Sequence, residues 1–483
     1  MTRRHPLSIA VWLLGAVLVA AVPVVPLQAP PAAAAPVQAD AGLVLQALAL
    51  LRQHYVDRLE VVPLLNGGIG GMRAALVAAG IGVDLPDLPA DLPDAQAQAA
   101  FRARFDAAAE AASGRLTRTA LAHAAIRGMT AVLADSHTGF MPPEEYERLR
   151  AQASRQAQFS GIGVVLLARE GRVYIRDVIP GGPAEGAGLR PFDRVVRIDA
   201  VPTAGLDITQ VSGMIRGPAG TTVTLVVERP GAAEPTAVSV VRAPIRVPPV
   251  FDARVLDDGV GYLKLHSLFA DGVGREVRQR LERLLASGLR ALVLDVRGNT
   301  GGYVHELLLV LNALLPPGVP VLQETRRGGA TQVVRTWAAP VLPGHVPLVV
   351  LVDEGTASAA ELLAAALQEH ERATLVGERT SGTVDAGATF ELADGSALLI
   401  TVRRLATGRG RRLEGVGVTP HVAVALGLAE LDQGRDSQLE RALQLVRQRL
   451  RAARGAPCCP RAAAGPLPVV PRAATGQAVL SSR

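Results

Sequence analysis

Between residues 250 and about 424, short apolar runs alternate with stretches of helical periodicity, and this alternation restricts the fold more than any other feature. Residues 260–265 read as a strand, 272–286 as a helix and 291–296 as a buried strand. A helix at 303–315, a second buried strand at 348–352 and a helix at 357–369 follow. Strands and helices that take turns in this way pack as an α/β layered core. A last amphipathic helix is expected at 438–453, and from Gly455 onward the chain is Ala/Pro/Arg low-complexity sequence.

Upstream the pattern differs. From Phe159 to about residue 241, β-branched runs at 164–167, 173–179, 195–198 and 222–227 are separated by Gly/Pro turns, which describes a small β-rich module. Residues 41–155 are Ala/Leu/Arg-rich with helical spacing, as in Leu43, Leu45, Leu48, Leu50 and Leu51, then Phe101, Phe105 and Ala109. A helix at about 116–133 ends in the polar turn Asp135-Ser136-His137-Thr138-Gly139. Arg3 and Arg4 precede an apolar run at 7–27 and the small-residue stretch 32–35, the parts of a secretory signal peptide. The run is also long enough for an uncleaved membrane anchor. The expected organisation is a signal peptide or anchor at 1–35, a helical region at 41–157 and the β module at 158–243. The α/β core follows at 244–430, a helix at 436–454 and a disordered tail at 455–483. The expected location is periplasmic or extracellular.

Composition removes several function classes. The 50 basic and 44 acidic residues give a net charge of +6 with the signs interspersed, so no nucleic-acid-binding stripe is expected. All but one of the basic residues are arginine; the single lysine, Lys264, is followed by Leu265, which excludes a phosphate-binding G-x-x-x-x-G-K-[ST] loop. The two cysteines, Cys458 and Cys459, are adjacent in the tail and form neither a disulfide framework nor a zinc site. No H-E-x-x-H occurs, and no residue cluster calls for a metal or other cofactor.

Three segments carry candidate chemistry. In Val352-Asp353-Glu354-Gly355-Thr356-Ala357-Ser358-Ala359-Ala360-Glu361 a buried strand turns directly into a helix. A serine there sits among free amide groups at a helix N-terminus, although Ser358-x-x-Glu361 also fits a plain capping box. In Asp295-Val296-Arg297-Gly298-Asn299-Thr300-Gly301-Gly302 paired glycines allow close approach of backbone amides to a ligand, or simply make a strand-to-helix turn. His137 lies between hydroxyl residues, in a place where a histidine is either solvated or catalytic.

The order of these motifs resembles the C-terminal processing (tail-specific) serine peptidase family over residues 41 to about 424. It runs D-S-H-T-G-F, the β module, D-x-R-G-N-x-G-G, S-A-A-E, then G-E-R-T. The resemblance implies a helical N-terminal region, a PDZ domain and a ClpP/crotonase-like α/β core. It makes Ser358 the nucleophile, with the amide of Ala359 and one from Gly301 or Gly302 as oxyanion donors. The β module would hold a peptide's terminal carboxylate at Gly161, Ile162 and Gly163, with the following strand edge and a helix at 207–215 as groove walls.

One departure matters. Relatives of this kind carry a lysine base in a G-E-K-T-x-G-K segment, and here Gly377-Glu378-Arg379-Thr380-Ser381-Gly382-Thr383 puts Thr383 in its place. Neither a hydroxyl nor a guanidinium is a general base near neutral pH, and Lys264 is expected to point to solvent from its strand. The tricorn-core branch of the superfamily instead uses a histidine before its PDZ domain and a downstream glutamate. Ser136-His137 and Glu414 match those features, so His137 would be the base and Ser136 or Glu414 its orienting partner; a solvated loop carboxylate is the alternative for Glu414. The resulting expectation is an exported serine endopeptidase acting on polypeptides. The rival is a peptide-binding scaffold that has lost catalysis on the same fold.

Overall fold

The computed structural model describes residues 40–155 and 159–455, so the expected signal segment and tail lie outside the described residues. The N-terminal region comprises α1 (Ala41–His54), α2 (Val61–Ala78), α3 (Asp94–Ala111), α4 (Arg118–Ala131), β1 (Gly139–Met141) and α5 (Pro143–Arg155). Helix α2 was not legible as a helix, because Gly67, Gly68, Gly70 and Gly71 interrupt it. The structure supplies the reason for those glycines: a Cβ on Gly71 would lie 2.1 Å from the Ala124 carbonyl oxygen, and one on Gly128 2.2 Å from that of Gly67. The α2 and α4 backbones therefore touch. Helix α2 is long and apolar enough to cross a membrane, but Leu64, Leu65, Ile69, Met72 and Leu76 are buried in the helical core beside Phe101 and Phe105.

The β module contains β2 (Phe159–Gly161), β3 (Val164–Arg169), β4 (Arg172–Val178), α6 (Pro183–Gly186), β5 (Arg194–Ile198) and β6 (Val201–Pro202). It continues with α7 (Ile208–Ile215), β7 (Thr222–Glu228), β8 (Thr236–Val241) and β9 (Ala243–Ile245). Its main sheet runs β3-β4-β5-β7-β8, closed over a core that includes Ile162, Ile175, Val211, Ile215 and Leu225. Asp207 and Gln210 form a reciprocal capping box at the start of α7.

The remaining elements are β10 (Val250–Val255), β11 (Val260–Leu265), α8 (Val273–Ala286), β12 (Ala291–Asp295) and α9 (Val304–Leu314). Then come β13 (Pro320–Arg326), β14 (Thr331–Arg335), β15 (Leu348–Val352), α10 (Ala359–Glu369) and β16 (Thr374–Gly377). The chain closes with β17 (Ala386–Glu391), β18 (Ala397–Thr407), β19 (Val422–Ala423), α11 (Leu428–Asp432) and α12 (Ser437–Gly455). The central sheet runs β10-β11-β12-β15-β16-β19, and the pairs from β11 through β19 are parallel. Helices α8, α9 and α10 cover one face with Leu281, Leu311 and Leu363; α12 covers the other through Ala442 and Val446. A second sheet, β1-β18-β13-β14 with β17 on β18, joins the helical region to the core. In an open parallel sheet the strands' carboxyl ends form the natural site, and the turns after β12 and β15 lie there.

Candidate active site

Ser358 ends the turn after β15 and caps α10 with φ 54° and ψ −123°, a left-handed backbone that an L-residue adopts only when its surroundings hold it there. The turn is shaped by Asp353, whose Oδ1 accepts hydrogen bonds from the Gly298 amide (2.8 Å), the Gly355 amide (3.1 Å) and Thr356 Oγ1 (3.1 Å). Ser358 is 3% exposed. Glu361 reaches back and accepts the Ser358 amide at 3.1 Å, so the capping geometry is present and leaves room for chemistry.

The Gly301-Gly302 turn packs directly on this serine, since a Cβ at Gly301 would lie 2.7 Å from Ser358 Cβ and 2.8 Å from the Ala359 nitrogen. The two glycines are not equivalent. The Gly301 amide donates to Asn299 Oδ1 at 2.9 Å. The amides of Gly302 and Ala359 have no acceptor among the described residues.

A second cluster gathers Ser136, His137 and Glu414. Ser136 Oγ donates to Glu414 Oε1 at 3.0 Å, and His137 Nε2 lies 3.3 Å from Glu414 Oε2. Glu414 Oε2 also accepts the amides of Val384 (2.8 Å) and Asp385 (3.0 Å). Burial pulls the His137 pKa down, but the Glu414 carboxylate, backed by Asp135 and Asp385, outweighs it and leaves the ring above its ordinary value. Burial pushes Glu414 up, yet His137 and the two amides overcome this and bring it down to about 2.

The structure brings each cluster together, and the segment 380–385 joins them. Glu361 accepts the amides of Gly382 (2.6 Å) and Thr383 (2.8 Å) and the Thr380 hydroxyl at one end, while Val384 and Asp385 hold Glu414 at the other. No hydrogen bond joins His137 to Ser358 among the described residues. Thr383 pairs its hydroxyl with Ser381 at 2.5 Å. The role of Glu361 as a tie between serine and segment was not legible, because S-x-x-E reads locally as a cap.

Lys264 requires a correction. It is 4% exposed rather than solvent-facing: Nζ donates to Asp177 Oδ1 of β4 at 2.7 Å and lies 3.8 Å from Asp295. A carboxylate from the β module, far away in sequence, turns the lysine inward. It shares the sheet face of Tyr262 and Asp295, under α12, whereas α10 packs on the opposite face.

In the β module, β3 is an edge strand, with α7 beside it and Val211 and Ile215 buried. Gly161, Ile162 and Gly163 are buried in the connection before β3, where the Ile162 carbonyl accepts the Ala184 amide at 2.7 Å. One group of metal-capable side chains exists among the described residues, Asp271, His305 and Glu306. Both Glu306 oxygens already accept amides, from Gly272 and Gly274 at 2.6 Å, in a helix-capping arrangement.

Comparison with known proteins identifies the two modules. Residues 259–424 match peptidase family S41, and residues 174–229 match a PDZ domain. A carboxyl-terminal-processing protease of Synechocystis is 33% identical over 332 residues, covering 67% of this chain and 76% of the relative. A carboxy-terminal processing protease of Bacillus subtilis is 31% identical over 306 residues, covering 63% of this chain and 64% of the relative. The solved photosystem II D1 C-terminal processing protease superposes with a TM-score of 0.50 at 26% identity, over 80% of this chain and 94% of that one. The chain thus belongs to peptidase family S41, a family of serine peptidases, and carries a PDZ domain beside its peptidase core.

Proposed function

We propose that the chain is an exported endopeptidase that cleaves polypeptides with Ser358 as nucleophile and His137 as general base in place of the absent lysine. The observation that carries this reading is the meeting of His137 with Glu414 and Ser136, from stretches 278 residues apart, at one end of the segment whose other end is tied to Ser358. A serine hydroxyl attacks an amide only when a base takes its proton. The ring nitrogen turned away from Glu414 takes that proton and returns it to the leaving amine, while Glu414 stabilises the imidazolium. The Ala359 and Gly302 amides stabilise the tetrahedral oxyanion. Catalytic hydrogen bonds are commonly long before substrate arrives and tighten with it bound, so the mechanism requires the Ser358–His137 contact to form in the substrate complex.

The PDZ domain receives the substrate's C-terminus. Its support is the edge of β3, unpaired among the described residues, which offers backbone donors and acceptors to an extended peptide. Export rests on the apolar segment at 7–27.

A fluorophosphonate probe tests the mechanism. Wild-type protein labels and cleaves peptides, and both Ser358→Ala and His137→Ala lose labelling and cleavage while keeping their fold. Wild-type cleavage by His137→Ala would reject the base assignment, and no labelling of folded wild-type protein would favour the inactive peptide-binding scaffold. N-terminal sequencing of the secreted protein tests export.

A further inference from the structure

We propose that Asp135 is a positioning residue for catalysis, whose carboxylate builds and holds the turn that presents His137 to Glu414. This rests on the reading of His137 as the base. Ala134 sits at φ 48° immediately before it, so the chain enters the turn through a backbone conformation that alanine adopts only under constraint. Asp135 supplies that constraint with both oxygens. Oδ1 accepts the His137 amide at 2.9 Å, and Oδ2 accepts Thr138 Oγ1 at 3.0 Å.

The clamp extends into the second sheet. Thr138 Oγ1 accepts the Thr401 amide of β18 at 3.0 Å, and the Thr401 carbonyl accepts the Val56 amide just beyond α1 at 2.8 Å. Residue 139 then pairs with Leu399, so the end of the turn is fixed on β18. Tyr55, at the end of α1, faces the same carboxylate; burial and the neighbouring Asp135 push its phenol up to about 12. Ser136 is the exposed residue between these anchors, and the clamp leaves its hydroxyl directed at Glu414.

The position also carries charge. His137 is faced by Glu414 from the loop after β18, by Asp385 from the segment before β17, and by Asp135 from its own turn. Asp385 is compensated by Arg412 at 2.7 Å, whereas among the described residues Asp135 pairs with neutral donors alone. Asp135 therefore adds an uncompensated negative charge beside the imidazolium that forms in the transition state.

Two variants separate geometry from charge. Asp135→Asn keeps an acceptor for the His137 amide but removes the charge; Asp135→Ala removes both. In Asp135→Ala, kcat is expected to fall at least about 10-fold with KM unchanged, the signature of an interaction used in the transition state. In Asp135→Asn, most of kcat is retained, and the acid limb of kcat/KM moves to lower pH, because losing a nearby anion favours the neutral ring. A fold-only role would not move that limb. If His137→Ala is inactive but both Asp135 variants keep the wild-type kcat and acid limb, the inference is overturned and the base assignment stands. If His137→Ala is itself active, the underlying reading fails instead. Should Asp135→Ala not fold, the acid limb of Asp135→Asn decides alone, and an unmoved limb overturns the inference.

Discussion

Replacing Glu414 by glutamine isolates the charge that the mechanism needs. The amide is isosteric: its carbonyl can take the Oε2 position and keep the Val384 and Asp385 donors, while its NH2 group faces Ser136. What disappears is a negative charge 3.3 Å from His137 Nε2. At an effective dielectric of about 20, the gross attraction at that distance is about 5 kcal/mol, and breaking a buried pair typically costs about 3–5 kcal/mol net. Taking about 3 kcal/mol as the loss to the imidazolium of the transition state, kcat/KM falls about 100-fold. The pH dependence gives a second reading. With Glu414 gone, its raising influence is lost while burial still pulls the ring down, so the acid limb should move to lower pH. The variant would be the slower enzyme, yet with its base neutral at lower pH. Stability follows the same linkage. A carboxyl held at about 2 against its usual 4.5 stabilises the fold fully above pH 4.5, and that share vanishes as the pH falls from 4.5 to 2. Glu414→Gln should lack this acid-sensitive component. The assay is a kcat/KM profile from pH 5 to 9 on a fluorogenic peptide, with acid unfolding followed by circular dichroism. An unmoved acid limb together with an undiminished rate would refute the pairing.

Other consequences are equally direct. Installing the missing amine, Thr383→Lys in a His137→Ala background, should restore peptide cleavage at alkaline pH if the two bases are alternative solutions on one scaffold; continued inactivity of the folded protein would reject that equivalence. Gly302→Ala should abolish fluorophosphonate labelling, because its φ is 145° and a Cβ would lie 2.1 Å from the Leu268 carbonyl carbon; normal labelling would remove the Gly302 amide from the oxyanion site. Lys264→Met removes the nearer of the two cations on Asp177, leaving Arg176 at 3.2 Å, and should destabilise the fold, seen as a lower midpoint in calorimetry. An unchanged midpoint would mean the seam relaxes freely.

How far the sequence revealed these features depended on whether the deciding contacts were local. Strands β11 and β15 read correctly from their own composition, since every residue of each is buried. The second sheet escaped notice because β13 and β14 carry Gln323, Glu324, Arg326 and Arg335 among their apolar residues, and because β13 pairs with β18, far along the chain. Helix α2 was hidden by glycines that only its contact with α4 explains. Lys264 was placed on the wrong side of its strand because Asp177, its partner, arrives from another domain. Ser358 stood out locally, as a residue between a buried strand and an Ala/Leu helix. His137 and Glu414 have no local signature; motif order suggested them, and the fold puts them in contact.

The burial of Lys264 has a practical corollary. Among 483 residues this chain owns one side-chain amine, and it is walled in where the PDZ strand β4 meets the peptidase sheet. Apart from the chain's own α-amino terminus, an acylating reagent selective for primary amines would meet only guanidinium groups on the exterior, and would mark Lys264 only in molecules whose two modules had come apart. The protein thus carries a built-in chemical reporter of whether its halves are joined.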